Sequence, residues 1–348
     1  MQTFKIANKL ISNNSKTFII AEIGLAHMGS LNIAHSFIDA AAKFGADAVK
    51  FQMHIASEES TIDEKFRIRI SSQYKSRYEY WEKTSFKIEE WNEIINHCKK
   101  KKIIFLCTPF SIKAAEILEN FNIKAFKIGS GEILFHDMFD YLKKTKKPIL
   151  ISTGLAKISE IDDITKKIKS SNPFAIFQCT SLYPTPPEKV GLNLINEFKL
   201  RYKCPVGLSD HSGNIYSAIS AIALGANLIE VHISFDKSIS NPDSSSSITF
   251  SQLGEIANAA KFLNITVNNK VNKNKLVKEL SSYRKIFFRS LSLNKSLKKG
   301  NIVGKNDLTL KKPGTGIPPN KLNLIVGKKL KKNVKTNKLL NIKDFENE

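Results

Sequence analysis

The sequence predicts an α/β fold, a closed (β/α)₈ barrel followed by a small β-rich domain, and three observations point to it. Eight short apolar, β-branched runs recur between Phe18 and His232, most of them followed by a stretch of helical period. Eight strand–helix units over about 250 residues match a parallel barrel, whereas a doubly wound sheet would need fewer strands and a glycine-rich first turn, which is missing. After Phe262 the pattern changes to an Asn/Lys-rich stretch and then to short strands and turns.

Taken in order, residues 1–16 lack the apolar segment of a signal peptide, and no later run approaches the roughly 18 residues of a membrane span. The runs lie at residues 18–22, 48–52, 103–107, 125–129, 148–152, 175–179, 206–209 and 228–232. Between them Ile33-Ala34 with Phe37-Ile38, Ala114-Ala115 with Leu118, and Ile219 with Ile222-Ala223 repeat at three and four residues, as amphipathic helices on a sheet do. The long connection, residues 53–86, carries Tyr74, Tyr78, Tyr80 and Trp81 and reads either as a lid or partner arm or as a surface excursion. Residues 264–275 read as linker. Beyond them Lys312-Pro313-Gly314-Thr315-Gly316 forbids a helix, and a compact β-rich tail of about 60 residues follows.

Composition narrows the function. Fifty-four basic against 32 acidic side chains give a net charge of +22, which raises nucleic acid, a membrane surface or a small anion as partners. Fourteen lysines and only Asp307 lie between Lys295 and Lys343, a solvated face by default. No stacking aromatics interleave with them, so nucleic acid is not expected. Cys98, Cys107, Cys179 and Cys204 form no Cys-x-x-Cys pair, which argues against a disulfide scaffold or structural zinc and for a reducing, cytoplasmic setting.

In a parallel barrel the site is built at the carboxyl ends of the strands. Those ends read Glu22, Lys50 with Gln52, Thr108, Lys127 with Ser130 and Glu132, Ser152, Thr180 with Ser181, Ser209 with His211, and His232. Two lysines among hydroxyls and the Gly129 and Gly131 turns suit a small polyanion. Each lysine sits inside an apolar run and would be buried unpaired unless an anion meets it. His211 and His232 end consecutive strands, the spacing of two ligands for a divalent ion or of two ordinary polar residues. His27, His35, His54, His97 and His136 show no comparable pairing.

Ala21-Glu22-Ile23-Gly24, Lys50-Phe51-Gln52, Lys127-Ile128-Gly129-Ser130-Gly131-Glu132, Cys179-Thr180-Ser181 with Tyr183-Pro184, Gly207-Leu208-Ser209-Asp210-His211 and Glu230-Val231-His232 resemble the sialic acid synthase family. The tail, with Arg289-Ser290-Leu291 and Pro313-Gly314-Thr315-Gly316-Ile317, resembles the SAF (antifreeze-like) domain that closes those synthases. The resemblance implies a catalytic barrel over residues 1–263, a linker over 264–285 and an SAF domain over 286–348. It implies condensation of phosphoenolpyruvate with an open-chain N-acetylated amino sugar, N-acetylmannosamine or a 2,4-diacetamido-6-deoxyhexose, to a nonulosonic acid and phosphate. The site carried over is Lys50, Thr108, Lys127, Ser130, Ser152 and Ser209 around phosphoenolpyruvate, with Ser181 and Tyr183 lining the pocket. His211 and His232 would bind Mn²⁺ or Mg²⁺. Glu22 would position or deprotonate the attacking water, and Gln52 and Glu132 would orient metal-bound water and sugar. A domain-swapped homodimer follows, its lysine-rich tail raising the positive potential over the mouth.

Three positions depart from the pattern, all on the sugar side. Ala26-His27-Met28-Gly29 replaces Asn-His-Asn-Gly, Lys312 replaces an arginine, and Asn241-Pro242-Asp243-Ser244 replaces Gly-Pro-Asp-His, keeping Asp243 for the sugar hydroxyls. The alternatives are a related synthase that uses a sugar phosphate and a basic nucleic-acid binder on a barrel scaffold.

Overall fold

A computed structural model describes residues 2–66, 73–239 and 241–346, in two compact units, Met1–Asn269 and Lys270–Glu348. The first is the expected barrel. A hairpin of β1 (Phe4–Ile6) and β2 (Lys9–Ile11) precedes eight parallel strands: β3 (Phe18–Gly24), β4 (Ala48–Met53), β5 (Ile104–Pro109), β6 (Phe126–Ile128), β7 (Ile149–Ser152), β8 (Phe174–Cys179), β9 (Val206–Asp210) and β10 (Leu228–Ser234). They pair in sequence order, and β10 pairs with both β9 and β3, which closes the ring. A short β11 (Ile248–Thr249) extends β10.

Every barrel strand is almost wholly buried, so its alternation sorts residues between two apolar environments rather than between core and water. Ile19, Ala21, Val49, Phe51, Ile149, Ile151, Ile229 and Val231 face the helices. Ile20, Ala48, Leu106, Leu150, Phe177 and Leu228 point inward and fill the lower half of the ring with Phe4, Ile6 and Ile11 of the hairpin. The segment 1–16, featureless in sequence, is thus a plug for the amino end, tied by Gln2 N–H to Lys203 O at 2.8 Å and by Asn227 Nδ2 to Ser12 O at 2.9 Å. Gly207 makes the filling possible, since a Cβ there would meet the Phe177 ring at 2.7 Å and Leu228 O at 2.8 Å.

The outer helices are α1 (Leu31–Lys43), then α2 (Ala56–Glu59) and α3 (Arg77–Thr84) in the long connection, and α4 (Ile88–Lys100), α5 (Ile112–Asn120), α6 (His136–Thr145), α7 (Ile158–Ile168), α8 (Asn193–Tyr202), α9 (Tyr216–Ala223) and α10 (Phe250–Asn268). Ser30 and Ser111 cap α1 and α5 by accepting from the N–H groups of Ile33 and Ala114. The connection packs its own cluster of Leu25, Ala56, Tyr80 and Trp81, with Phe66, Tyr74 and Tyr78 against it; its residues 67–72 lie outside the described residues.

The stretch 264–285, linker by composition, is helical over most of its length: α10 runs to Asn268, and α11 (Lys273–Glu279) and α12 (Ser281–Phe287) open the second unit. That unit pairs β12 (Ser290–Leu293) with β13 (Leu308–Lys311) antiparallel over a core including Leu291, Leu293, Val303, Ile317, Leu330 and Phe345. Residues 347–348 of the tail lie outside the described residues. Among the described residues no helix is long and apolar enough to cross a membrane.

Candidate active site

Above its apolar lower half the ring turns polar. Glu22, Lys50, Thr108, Lys127, Ser152, Ser209 and Glu230 stand on the inward face, and each is at most 5% exposed. They line the floor of a cavity of about 740 Å³ that opens at the carboxyl ends of the strands. Of the other residues expected there, Gln52, Ser130, Glu132, Ser181, Tyr183, His211, His232 and Asp243 line it as well, Thr180 does not, and Lys312 belongs to the second unit.

The two lysines are not unpaired. Lys50 Nζ lies 2.9 Å from Glu22 Oε2, 2.9 Å from Thr108 Oγ1 and 3.8 Å from Glu230 Oε1. Lys127 Nζ donates to Glu230 Oε1 and Oε2 at 2.8 and 2.9 Å and stands over the Phe177 ring, 4.6 Å from its centroid. Glu230 also accepts from Ser209 Oγ at 3.1 Å. The expectation of unpaired ammonium groups is corrected by these internal carboxylates, which offset the desolvation that burial imposes. Burial would lower both lysines. For Lys50 two carboxylates outweigh it and raise the pKa, whereas Lys127 has one carboxylate and the like charge of Lys50, and stays below its usual value. Burial likewise opposes ionisation of Glu230, but the two lysines prevail and hold it down at about 2. The floor is therefore charged and balanced.

At the rim the Tyr183 ring lies 4.2 Å from that of His211 and 6.0 Å from that of His232. The His211 and His232 ring centroids are 5.4 Å apart. Burial and the neighbouring His232 push His211 down to about 4, so it is neutral near neutral pH. Its Nδ1 is 2.9 Å from Thr180 O, which only accepts; Nδ1 therefore carries the hydrogen and Nε2 the lone pair, 3.2 Å from Tyr183 Oη. A buried neutral ring with its tautomer fixed from behind is what a metal-ligating histidine needs. His232 Nδ1 is 3.6 Å from Asp243 Oδ2. Among the described residues no set of three or more His, Cys, Asp or Glu is arranged to hold a metal. The two neighbouring imidazoles could supply at most part of a divalent ion's coordination, with the other positions left to substrate or solvent oxygen.

With this geometry established, comparison with known proteins is specific. A profile of the NeuB family matches residues 37–272, and one of the SAF domain matches residues 288–346. The chain belongs to the NeuB family. It is 32% identical to the N,N'-diacetyllegionaminic acid synthase of Campylobacter jejuni, over 93% of this chain and 99% of that one. It is also 32% identical to human N-acetylneuraminate-9-phosphate synthase, over 90% and 88%. Among solved structures it resembles the spore coat polysaccharide biosynthesis protein SpsE of Bacillus subtilis, with a TM-score of 0.67, 27% identity and full coverage of both chains. This NeuB chain is accordingly a synthase of that type, a transferase.

The NeuB cavity holds residues that strand-end counting missed. Glu230 is the hub of the floor, and a charged residue inside the apolar run 228–232 was the available signal. The long connection supplies one wall, with Glu58, Glu59, Glu64, Phe66, Arg77, Tyr80 and Trp81. His54, unremarkable in sequence, is 5% exposed, lines the cavity and bonds to Glu59 at 2.6 Å. His35 and His97 do pair, as stacked rings 4.3 Å apart away from this cavity. Burial, helped by Glu59, raises the pKa of Glu132. Thr180 turns aside, its hydroxyl donating to Lys189 O at 2.6 Å.

Proposed function

We propose that this NeuB-type synthase condenses phosphoenolpyruvate with an open-chain N-acetylated amino sugar to give a nonulosonic acid and inorganic phosphate. The observation that carries the reading is the buried Glu22–Lys50–Glu230–Lys127 network, ringed by hydroxyls and set beneath two imidazoles. Phosphoenolpyruvate brings a carboxylate and a phosphate into one pocket. Lys50 and Lys127 set their ammonium groups in the floor of that pocket, and Thr108, Ser130 and Ser152 add neutral donors beside Ser209, whose hydroxyl is given to Glu230. Neutral donors let the anion enter a balanced site without a second charge to desolvate.

Bond by bond, C3 of phosphoenolpyruvate attacks the sugar aldehyde carbon, and the carbonyl oxygen becomes a hydroxyl. C2 turns electrophilic and takes up water, and the tetrahedral centre expels phosphate as its C–O bond breaks. Glu22, held by Lys50 on one oxygen and Gln52 on the other, orients or deprotonates that water. Lys127 stabilises negative charge on the reacting anion. Gln52, Glu132, Ser181, Tyr183 and Asp243 line the sugar side. His211 and His232 would hold Mn²⁺ or Mg²⁺, which when bound supplies Lewis-acid polarisation of the carbonyl.

The named relatives act on different sugars, and the acceptor here is N-acetylmannosamine or a 2,4-diacetamido-6-deoxyhexose. The domain arrangement proposed is a barrel, a helical linker and an SAF domain that a domain-swapped homodimer brings to its partner's sugar site, where Lys312 meets the acceptor. Phosphate release should be measured with Mn²⁺ and a panel of acetamido sugars against pentose and tetrose phosphates. Release with the acetamido sugars supports the reading; release with sugar phosphates alone overturns it.

A further inference from the structure

One group in the cavity has no part in the reaction above. His54 follows β4 and lies between two parallel rings: Trp81, 4.5 Å away at 11°, and Phe110, 4.3 Å away at 13°. Its edges face Gln52 and Glu59. The hydrogen bonds that link His54 to its neighbours leave little freedom. Glu22 is ion-paired to Lys50, so its other oxygen accepts, and Gln52 Nε2 donates to it at 2.8 Å. That turns the amide oxygen of Gln52 toward His54 Nε2 at 3.2 Å, and an amide oxygen only accepts. Nε2 therefore bears a hydrogen. On the other edge Nδ1 is 2.6 Å from Glu59 Oε1; with Glu59 ionised, the hydrogen between them belongs to the ring.

We infer that His54 is a doubly protonated imidazolium and a positioning residue: paired to Glu59 and clamped between Trp81 and Phe110, it fixes the Gln52 amide so that its N–H₂ group holds Glu22. The flat faces of two aromatic rings favour a cation between them, and Arg77 lies over the same Trp81, 4.4 Å from its ring. Charge then alternates along the chain Glu59⁻, His54⁺, Gln52, Glu22⁻, Lys50⁺. Removing the Nε2 hydrogen would set a lone pair against the Gln52 oxygen. The amide would turn over, and its oxygen would face the Glu22 carboxylate. Loss of one proton at the wall would thus undo the placement of the carboxylate that the proposed mechanism uses for water. The charged and titratable groups around His54 are Glu59 and Glu58 on α2, Arg77 on α3, Glu132 beyond Glu59, His27, and Glu22 and Lys50 through Gln52.

This inference rests on the proposed reaction for its catalytic consequence but not for its structural content, so the test has two arms. Nitrogen NMR of histidine-labelled protein at neutral pH should show one residue with hydrogen on both ring nitrogens. That signal should be identified as His54 by its loss in His54→Gln. In Glu59→Gln it should give way to a ring with one bare nitrogen. Turnover of Glu59→Gln should then fall about 10²-fold, with the KM for phosphoenolpyruvate unchanged. A bare ring nitrogen on His54 of the unaltered protein at neutral pH overturns the inference, whatever the activity. So does a Glu59→Gln enzyme whose turnover matches that of the unaltered one. Absence of turnover in the unaltered protein, with the imidazolium signal intact, counts against the reaction and leaves the His54 state standing. If Glu59→Gln does not fold, the signal of the unaltered protein decides alone.

Discussion

Replacing Glu230 by Gln removes one negative charge from the centre of the barrel and leaves the volume almost unchanged. Lys127 loses both carboxylate contacts, at 2.8 and 2.9 Å, and Lys50 loses its weaker one at 3.8 Å. Breaking a buried pair by neutralising one partner costs about 3–5 kcal/mol. A fall of the Glu230 pKa from the ordinary 4.5 to about 2 corresponds to about 3 kcal/mol of differential stabilisation. A depressed carboxylate contributes stability that is complete above its unfolded pKa and is lost as pH falls through its folded one. The difference between the two proteins should therefore be full at neutral pH and shrink from about 4.5 down to about 2. Both tryptophans, Trp81 and Trp91, lie in the barrel unit, so denaturant unfolding followed by their fluorescence reports that unit alone. Equal stability of Glu230→Gln and the unaltered protein at neutral pH would refute the charged floor. So would a gap that stays constant on acidification.

Three further outcomes follow from the site. Lys127→Met should lower kcat/KM by about 10² or more, since one donor aimed at developing charge is typically worth about 3–4 kcal/mol; unchanged steady-state rates would remove Lys127 from the mechanism. His211→Ala, His232→Ala and complete chelation with EDTA should each abolish turnover without unfolding the protein, and full activity after metal removal would contradict a Lewis-acid role. Lys312→Ala should raise the KM of the sugar and leave that of phosphoenolpyruvate alone, which initial-rate kinetics with each substrate varied in turn will show.

The barrel was legible because its strands are the apolar runs and its helices the periodic stretches between them. The eight observed strands fall on the eight runs, with ends shifted by one or two residues. Strand alternation puts Lys50 and Gln52, two apart, on the shared inward face, and the same spacing from His232 was the overlooked sign of Glu230. The pairing of charges across the ring was not legible. Glu22 and Lys50, 28 residues apart, meet because β3 and β4 pair in register, and Lys127 and Glu230, 103 apart, meet only across the closed ring. The hairpin plug was hidden for another reason. Phe4, Ile6 and Ile11 are too few and too scattered among polar residues to show a period, and only the open end of the barrel gives them something to cover. His54 was passed over because its partners come from α2, α3 and the turn after β5, and residue spacing contains none of that geometry.

The measurement closest to the centre of the account is mass spectrometry of the product formed from phosphoenolpyruvate, Mn²⁺ and each acetamido sugar. The expected product is a species equal to acceptor plus one three-carbon carboxylic acid unit, formed in step with phosphate and about 10²-fold more slowly in Lys127→Met. Folded, metal-loaded protein that yields no such species from any acetamido sugar, or that joins phosphoenolpyruvate only to a sugar phosphate, would contradict it.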